Sequence, residues 1–307
     1  MFSGHVLSML APGQGSQTPG MLIPWLELPG VRDQLATWSK LIQLDLERLG
    51  TTATAEEITD TAVTQPLVVA AALLAFDEYL KRGELPDDAV IAGHSVGELA
   101  AAAITGVISS DEAVKLAAIR GSEMAKACAR QATTMAAVLG GDEGQVLARL
   151  DELALVPANR NAAGQIVAAG PVEAIDELIA SPPEKARIRK LAVAGAFHTD
   201  YMVPARDAVA AAASKITPAD PARVLLSNSD GRPVADGAEA LSKLVTQVTS
   251  PVRWDLCSAY IREVGVTSLV ELPPAGALTG IAKREMKGTP TVAWKTPDDI
   301  EKVIELG

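Results

Sequence analysis

Residues 89–98 of the chain read Ala-Val-Ile-Ala-Gly-His-Ser-Val-Gly-Glu. The first four are apolar and predict a short buried strand, and the alanine-rich stretch from Val96 predicts a helix. Ser95 therefore lies at a strand-to-helix turn with a glycine two positions away on each side, a pattern that holds a serine hydroxyl exposed on a sharp bend. The pattern makes Ser95 a candidate nucleophile, although a plain glycine-rich turn carries the same signature.

Strand and helix patterns alternate on both sides of this turn. An apolar strand is predicted at residues 5–10, helices are predicted around residues 31–49 and 65–82, and further helix and strand patterns follow residue 202. Such alternation is typical of an α/β fold with a parallel sheet. We expect a large α/β-hydrolase-like subdomain that carries the serine turn.

A different order of elements fills the middle of the chain. Strand, helix, strand, strand, helix and strand patterns follow one another between Thr134 and Val193, which is the βαββαβ order of a ferredoxin-like unit. We therefore expect a small ferredoxin-like subdomain at residues 131–194. It would be inserted into a large subdomain formed by residues 1–130 and 195–307.

Composition and charge exclude some classes of function. Of the 307 residues, 48% are hydrophobic, so the chain can bury a large core. The 27 basic and 38 acidic residues give a formal net charge of −11 without a basic stripe interleaved with aromatic residues, so we expect no nucleic-acid partner. Cys128 and Cys257 lack the spacing of a metal site or a disulfide framework, and no metal site is predicted.

The sequence carries no recognisable export or membrane signal. The first basic residue is Arg32, so the positive start of a signal peptide is missing. The most apolar stretch, residues 67–76, is shorter than the roughly 20 residues that span a bilayer. We expect no membrane association and a cytoplasmic location in which both cysteines are free thiols.

A serine nucleophile needs a base, and the chain has three histidines, His5, His94 and His198. His5 begins a predicted buried strand, and the side chain of His94 should diverge from that of its neighbour Ser95. His198 follows the insert and could face a cleft between the two subdomains, so it is the preferred base, with capping of the next helix as its alternative role. No acidic residue is evident as the third member of a Ser-His-acid catalytic triad, but a backbone carbonyl can orient the imidazole instead.

Arg120 lies within the apolar stripe of the helix predicted at residues 112–129. A guanidinium on a buried face needs an anionic partner. From these residues alone, an internal ion pair with Glu123 or another carboxylate is the favoured interpretation. The alternative is a substrate carboxylate, which a guanidinium can hold through two parallel hydrogen bonds.

The loop after the first strand, Pro12-Gly-Gln-Gly-Ser-Gln17, has approachable backbone N–H groups. Thr18 occupies the position of the third glycine in a dinucleotide-binding fingerprint, and no Lys-Ser/Thr pair of a P-loop is present. Nucleotide binding is therefore not indicated. The loop suits an oxyanion pocket and equally a plain turn.

Five stretches together carry a resemblance to a known family. They are Pro12-Gly-Gln-Gly-Ser-Gln17, Gly93-His-Ser-Val-Gly-Glu98, Arg120, Asn161-Ala-Ala-Gly-Gln165 and Gly195-Ala-Phe-His198. In order and spacing they resemble the malonyl-CoA:acyl carrier protein transacylase family of bacterial fatty acid synthesis, which is related to the acyltransferase domains of polyketide synthases. The resemblance covers almost the whole chain and implies an acyltransferase with malonyl-CoA as substrate and no cofactor.

The resemblance implies a role for each matching residue. Ser95 takes the malonyl group from coenzyme A as an ester and passes it to the phosphopantetheine thiol of acyl carrier protein in a ping-pong reaction. His198 acts as the base and then as the acid, and Arg120 binds the malonyl carboxylate. The backbone N–H groups of Gln14 and Val96 form the oxyanion hole.

Further contacts are implied by the same resemblance. A main-chain carbonyl near residues 250–253 holds the imidazole of the base, and Gln65 and Asn161 line the pocket. Phe197 favours malonyl over methylmalonyl groups because its ring leaves less room for an α-methyl group. Arg253 departs from the family pattern, in which glutamine is common, and adds a charge near the cleft.

Two other functions fit part of the pattern. In a serine hydrolase, water would resolve the ester, and in a non-catalytic scaffold the fold would dock carrier proteins without turnover. We favour a monomer. Because acyl carrier proteins are acidic, docking on this acidic chain needs a local basic patch. The candidates are Lys185, Arg187, Arg189 and Lys190, and Lys283, Arg284 and Lys287.

Overall fold

The computed structural model describes residues 4–193 and 195–307, and it contains two β-sheets whose strands are numbered together in chain order. The first sheet consists of β1 (Leu7–Ala11), β2 (Val90–Gly93), β7 (Val224–Leu225), β8 (Ser268–Glu271) and β9 (Thr291–Ala293). The second sheet consists of β3 (Thr133–Gly140), β4 (Val156–Ala162), β5 (Gln165–Pro171) and β6 (Ala186–Lys190).

The first sheet is parallel throughout, with the strand order β7-β2-β1-β8-β9. Every residue of β1, β2 and β8 is buried, as expected for strands covered on both faces of a parallel sheet. Because the strands are parallel, the carboxyl ends of β7, β2 and β1 lie side by side at one edge. In open α/β sheets this edge is where ligands bind.

The second sheet is antiparallel, with the strand order β4-β5-β3-β6. Helix α6 (Glu143–Glu152) connects β3 to β4, and α7 (Val172–Ala180) connects β5 to β6. This is the βαββαβ order of a ferredoxin-like unit. The predicted fold class, a parallel α/β sheet with a ferredoxin-like unit between its strands, is confirmed.

The remaining helices pack around the parallel sheet or close its connections. They are α1 (Val31–Ile42), α2 (Leu46–Thr51), α3 (Thr61–Leu80), α4 (Gly97–Ile104), α5 (Ser110–Cys128), α8 (Val203–Ala213), α9 (Gly237–Gln247), α10 (Trp254–Glu263), α11 (Ala277–Glu285) and α12 (Ile300–Ile304). Helices α3 and α5 lie against each other, and α4 contacts both of them. This packing places α5, which carries Arg120, close to the start of α4.

Helix α3 is longer than the apolar stretch that predicted it. It has 20 residues and is the one helix of residues 4–193 and 195–307 with the length and apolarity of a membrane span. However, 83% of its most apolar window is buried inside the protein. Such burial is typical of the core helix of a globular domain.

Two local predictions differ from the structure. The helix predicted at residues 31–49 is two helices, because Gln43 adopts a left-handed φ of 56° and ends α1. The Asp45 side chain then accepts a hydrogen bond from the Arg48 N–H and caps α2. Helix α11 was also missed: Gly276 precedes it and Gly280 lies inside it, which weakens the helical pattern.

Backbone hydrogen bonds join the antiparallel sheet to the body of the molecule. The Arg160 N–H donates to the Val252 carbonyl over 2.9 Å, and the Val252 N–H donates to the Ala158 carbonyl over 2.8 Å. Strand β4 is thereby fixed beside the carboxyl edge of the parallel sheet. Residue 194, the predicted last residue of the insert, lies outside the described residues.

Candidate active site

Ser95 lies between the end of β2 and the start of α4, as predicted from the sequence. Its φ is 54°, in the left-handed region that costs a non-glycine residue about 1–3 kcal/mol. Two side chains hold this conformation. The Ser95 N–H donates to Oδ1 of Asn228 over 2.8 Å, and the Ser95 carbonyl accepts from Nε2 of Gln247 over 2.8 Å.

The glycines on both sides of Ser95 are required by close packing. A Cβ atom on Gly93 would lie 2.1 Å from the carbonyl carbon of Gly97, and a Cβ atom on Gly97 would lie 2.3 Å from the carbonyl oxygen of Ala11. Both distances are far inside van der Waals contact with backbone atoms. The turn therefore tolerates no side chain at either position, which explains the spacing of the motif.

His198 is hydrogen bonded to Ser95, with 2.8 Å between Nε2 and Oγ. On the other side of the ring, Nδ1 lies 2.8 Å from the carbonyl oxygen of Gln247. A carbonyl only accepts, so Nδ1 carries the proton and Nε2 accepts from the serine hydroxyl. This acceptor lies three residues before the predicted segment 250–253. Gln247 is the last residue of α9, so its carbonyl accepts no hydrogen bond within the helix.

The imidazole of His198 is buried. Burial, and next the positive charge of Arg120, lower the pKa of His198 to about 3, while the backbone carbonyl of Gln247 and, more weakly, the backbone of Ser250 oppose this shift. The ring is therefore neutral at physiological pH. A neutral imidazole with a free lone pair at Nε2 can accept the proton of the serine hydroxyl.

Arg120 projects from α5 to the same hydroxyl. Its Nη2 lies 3.2 Å from Oγ of Ser95 and 3.0 Å from Oε1 of Gln247, and its Nη1 lies 2.6 Å from Oε1 of Gln65. All three partners are neutral. Burial lowers the pKa of Arg120 to about 10, with the charge of Glu98 opposing the shift, so the guanidinium remains charged at neutral pH.

The internal ion pair considered for Arg120 is absent from the described part of the chain. Glu123 pairs instead with Lys126, with 2.6 Å between the charged atoms. None of the carboxylates in residues 4–193 and 195–307 forms an ion pair with Arg120. A buried cation without a contacting anion is costly, and this arrangement leaves guanidinium N–H groups available to an incoming carboxylate.

Glu98 is a second buried ionisable group, one helical turn after Ser95. Its Oε1 accepts from the Asn228 N–H over 2.7 Å, and its Oε2 accepts from Nε2 of Gln247. Burial raises the pKa of Glu98 to about 7, although these hydrogen bonds and the charges of Arg120 and Lys243 oppose the shift. Glu98 is thus linked to Arg120 through Gln247.

A cavity of about 550 Å³ opens onto these groups. Phe197 is buried beside His198, and its side chain lines the cavity. Gln65 and Asn161, which the sequence placed in the pocket lining, are both in the cavity wall. The cavity lies between the carboxyl edge of the parallel sheet and the antiparallel sheet, so the predicted residues from both parts of the chain face the same space.

Gln14 and Val96 border the cavity near Ser95. Their backbone N–H groups donate to no acceptor in residues 4–193 and 195–307. The Gln14 side chain is held by a hydrogen bond of 3.1 Å from Nε2 to Oγ1 of Thr61. Two unpaired N–H groups beside a serine hydroxyl can stabilise an oxyanion.

The other two histidines do not contact the serine hydroxyl. Nε2 of His94 lies 2.8 Å from Oδ1 of Asn161, and its ring packs edge-on against Trp254. His5 lies at the opposite side of the sheet, with Nε2 2.8 Å from the carbonyl oxygen of Leu306. Of the three histidines, His198 is the one whose ring lies within hydrogen-bond distance of Oγ of Ser95.

Arg253 does not bring a free charge to the cleft. Its Nε and Nη2 donate to the two carboxylate oxygens of Asp255 over 3.0 and 2.9 Å. This bidentate pair neutralises the guanidinium. No group of three or more His, Cys, Asp and Glu side chains suited to a metal ion occurs among the described residues.

Three site residues were missed in the sequence. Asn228 directly follows the end of β7 beside β2, and the rule that ligand sites form at the carboxyl ends of parallel strands could have identified it. Glu98 is a lone carboxylate in an otherwise apolar helix, the same signal that identified Arg120. The backbone contact of Gln247 gave no signal, because every residue has a carbonyl.

The chain resembles known proteins over nearly its full length. Residues 9–297 match the family model described as acyl transferase domain. A curated relative from Mycolicibacterium smegmatis, named malonyl CoA-acyl carrier protein transacylase, is 64% identical over 290 residues, which cover 93% of this chain and 100% of the relative.

Solved structures show the same similarity. The crystal structure of MCAT from Mycobacterium tuberculosis has a TM-score of 0.94 and 62% identity, covering 97% of this chain and 99% of that chain. A type II PKS acyl-carrier protein in complex with its malonyl-transacylase has a TM-score of 0.90 and 30% identity, covering 99% of this chain and 100% of that chain. Together with the Ser95 and His198 geometry, these similarities place the chain in the acyl transferase family, among the malonyl CoA-acyl carrier protein transacylases.

Proposed function

We propose that the chain transfers a malonyl group from malonyl-CoA to the phosphopantetheine thiol of acyl carrier protein, through a malonyl ester on Ser95. The observation that best supports this proposal is the hydrogen bond between Ser95 and His198. Beside this pair lies the buried Arg120, which has no carboxylate partner among the described residues. A serine with its base can form an acyl-enzyme. The arginine favours an acyl group that brings its own carboxylate.

In the first half-reaction, Oγ of Ser95 attacks the thioester carbonyl carbon of malonyl-CoA. The hydroxyl proton moves to Nε2 of His198, and the carbonyl oxygen becomes an oxyanion held by the N–H groups of Gln14 and Val96. The tetrahedral intermediate then collapses with cleavage of the carbon–sulfur bond. His198 returns its proton to the departing sulfur, so free coenzyme A and malonyl-Ser95 remain.

The second half-reaction runs the same steps in reverse with a different thiol. The phosphopantetheine thiol gives its proton to His198 and attacks the ester carbonyl carbon. The carbon–oxygen bond to Ser95 breaks, and His198 protonates the released serine oxygen. Because the chemistry needs only the two thiols and this chain's own groups, we propose that no metal or cofactor takes part.

Arg120 would bind the malonyl carboxylate during both half-reactions. Its guanidinium is fixed by the Gln65 and Gln247 side-chain oxygens, which orient it without neutralising it. A carboxylate that enters the cavity can then form charge-assisted hydrogen bonds in a largely desolvated place.

Phe197 would select against an α-methyl group. Its ring is buried and lines the cavity next to His198, and one methyl group typically changes discrimination by about 1–3 kcal/mol. We expect kcat/KM for methylmalonyl-CoA to be at least about tenfold below that for malonyl-CoA. Comparable values for the two thioesters would contradict this role.

The large subdomain of residues 1–130 and 195–307 and the small subdomain of residues 131–194 would supply different parts of the site. Ser95, Arg120 and His198 belong to the large subdomain. The small one contributes Asn161 and the opposite wall of the cavity. We propose that this division lets the substrate enter between the two units.

The carrier protein would dock beside α11. Of the two basic clusters, the one that contains Arg284 reaches the cavity wall, where its Nη2 donates to Oε1 of Gln165 over 2.7 Å. In the other cluster Lys190 is paired with Asp176. A basic surface at the cavity mouth would attract an acidic carrier protein to this acidic chain.

We further propose that the protein is a monomer and that it is located in the cytoplasm.

A chase of the acyl-enzyme tests this function. The chain is incubated with malonyl-CoA, freed from it, and mixed with acyl carrier protein that bears phosphopantetheine, and both proteins are weighed by intact-mass spectrometry. We expect the malonyl mass to leave the chain and appear on the carrier protein. Loss without gain on the carrier would identify a hydrolase, and no malonyl adduct at all would identify a scaffold.

A further inference from the structure

Glu98, Asn228 and Gln247 form a hydrogen-bond network next to Ser95. Within the described chain, the carboxyl group of Glu98 contacts no cation and does not line the cavity. Glu98 is 4% exposed, and both of its oxygens accept hydrogen bonds from neutral N–H groups, those of Asn228 and Gln247. The nearby positive charges of Arg120 and Lys243 act on it without direct contact. A buried carboxyl group that forms no ion pair needs another reason to be present.

The side-chain amide of Gln247 has an oxygen end and an NH₂ end, and its partners decide which end faces which side. The NH₂ end faces acceptors only: Oε2 of Glu98, the carbonyl oxygen of Ser95 at 2.8 Å and, at 3.3 Å, Oδ1 of Asn228. The oxygen end faces a donor, Nη2 of Arg120, at 3.0 Å. Rotating the amide by half a turn would oppose oxygen to oxygen at Glu98 and NH₂ to guanidinium at Arg120.

We propose that Glu98 is a positioning residue that acts through Gln247, because its carboxylate directs the amide so that Oε1 faces and holds the guanidinium of Arg120. This inference rests on the proposed function, in which Arg120 binds the malonyl carboxylate. If the contact with Gln247 is lost, the Gln65 side chain still holds Nη1 of Arg120, but no amide oxygen holds Nη2. It would then be misaligned with the malonyl carboxylate.

The variant Glu98→Gln keeps the shape of the side chain but replaces one acceptor oxygen with an NH₂ group. If its oxygen still accepts from the Asn228 N–H, the new NH₂ group faces the NH₂ end of Gln247, and two donors oppose each other. The Gln247 amide is then driven to turn its NH₂ end toward Arg120. An acetyl group has no carboxylate, so its transfer depends less on the guanidinium.

The test compares malonyl-CoA with acetyl-CoA as donors to the carrier protein. In Glu98→Gln we expect the ratio of kcat/KM for malonyl-CoA to that for acetyl-CoA to fall at least about tenfold, mainly through a higher KM for malonyl-CoA. Glu78→Gln is the matched control, because Glu78 is a buried carboxylate in α3 that pairs with Lys81 and Arg82. In this control the ratio should stay at the wild-type value.

An unchanged ratio in a folded Glu98→Gln variant, including an equal loss with both donors, would overturn the positioning role. If that variant does not fold, Gln247→Met serves instead, since it removes the oxygen that faces Arg120 and keeps the backbone carbonyl that faces His198. The same fall in the ratio is expected, and an unchanged ratio would overturn the inference. Failure of the wild-type chain to transfer malonyl groups would instead disprove the proposed function.

Discussion

The hydroxyl of Ser95 lies between a base and a cation. Its Oγ is 2.8 Å from Nε2 of His198 and 3.2 Å from Nη2 of Arg120. The hydroxyl donates to the imidazole and accepts from the guanidinium, so a positive charge faces the oxygen as its proton leaves. Such a charge stabilises the developing alkoxide, and the same guanidinium is the proposed contact of the malonyl carboxylate.

Replacement of the guanidinium should therefore affect charged and uncharged acyl groups differently. In Arg120→Ala we expect kcat/KM for malonyl-CoA to fall by about 100-fold or more, because a hydrogen bond to a charged group contributes roughly 1.5–3 kcal/mol and the carboxylate is left unpaired. For acetyl-CoA the fall should be below about tenfold. Steady-state transfer to the carrier protein measures both values, and equal losses would mean that Arg120 does not recognise the carboxylate.

The pKa of His198 leads to an expectation for pH. Burial, followed by the charge of Arg120, lowers this pKa to about 3, whereas an ordinary imidazole has a pKa of about 6.5 and is about nine-tenths protonated at pH 5.5. The rate constant for acylation of Ser95 by acetyl-CoA should therefore change less than about twofold between pH 7.5 and 5.5. Quenched-flow mass spectrometry measures this rate constant, and a tenfold fall would show that the base titrates normally.

The lowered pKa of His198 also determines whether this residue stabilises or destabilises the folded chain as the pH falls. In the unfolded chain the imidazole binds a proton near its ordinary pKa of about 6.5, while in the folded chain it stays neutral down to about 3. The unfolded state therefore binds more protons in this window. His198 contributes a loss of stability as the pH falls from about 6.5 toward 3.

At the level of elements, the strand-to-helix turn depends on how closely β1 approaches α4. The His94 N–H donates to the Ala11 carbonyl over 2.9 Å, and Gly97 packs directly against the carbonyl oxygens of Ala11 and Pro12. The loop that carries Gln14 follows β1 immediately. The contact between the two strand ends therefore sets the position of Ser95 relative to the proposed oxyanion hole.

A methyl group at Gly97 should disrupt this contact. In Gly97→Ala the new Cβ would lie 2.3 Å from the Ala11 carbonyl oxygen, and we expect the free energy of unfolding to fall by about 3 kcal/mol. Gly280→Ala is the matched control, because Gly280 lies inside α11 and a Cβ atom there would have no described neighbour within 4 Å. Alanine at this position should raise the free energy of unfolding by about 0.5–1 kcal/mol.

Urea unfolding of the two variants and the wild-type chain measures these differences. A Gly97→Ala variant as stable as the wild type would show that the backbone at the turn can move apart without cost. In that case the glycine spacing would not arise from packing against β1.

Elements with strong local patterns were predictable, and an element with a weak local pattern was not. The apolar run before Ser95 and the βαββαβ order follow from periodicity and turn residues. Helix α11 was not predicted, because Gly276 and Gly280 weaken its helical pattern and its first N–H groups are capped from outside the helix. The fully buried Glu271, the last residue of β8, accepts from the N–H groups of Gly276, Leu278 and Thr279. This carboxylate precedes the helix by more residues than an N-cap side chain does, so the usual capping pattern does not reveal it.

At the level of the whole molecule, the candidate site joins segments that are far apart in the sequence. Ser95 and Asn228 come from neighbouring strand ends, His198 follows the antiparallel sheet, and Arg120 and Gln247 come from two helices. The nucleophile, the base and the buried cation were predictable because few side chains can serve in these roles, whereas Asn228 and Gln247 were missed. Their distances were not, since they depend on how α5 and α9 pack against the sheet.

The role of Gln247 illustrates what the sequence could not provide. Its carbonyl orients His198, and its side chain connects Glu98 to Arg120. A backbone carbonyl has no signature in the sequence, so the expected acceptor was placed at residues 250–253. Arg120, by contrast, was recognised as a charge on an apolar helix face, and Glu98 carried the same signal but was missed.

Peptide mapping after exposure to malonyl-CoA is the most direct test of malonyl transfer through Ser95. The chain is incubated with malonyl-CoA in the absence of carrier protein, digested at acidic pH and analysed by mass spectrometry. We predict one added malonyl group on the peptide that contains Ser95, and no addition in Ser95→Ala. An unmodified Ser95 peptide, or a malonyl group on another residue that persists in Ser95→Ala, would contradict this mechanism.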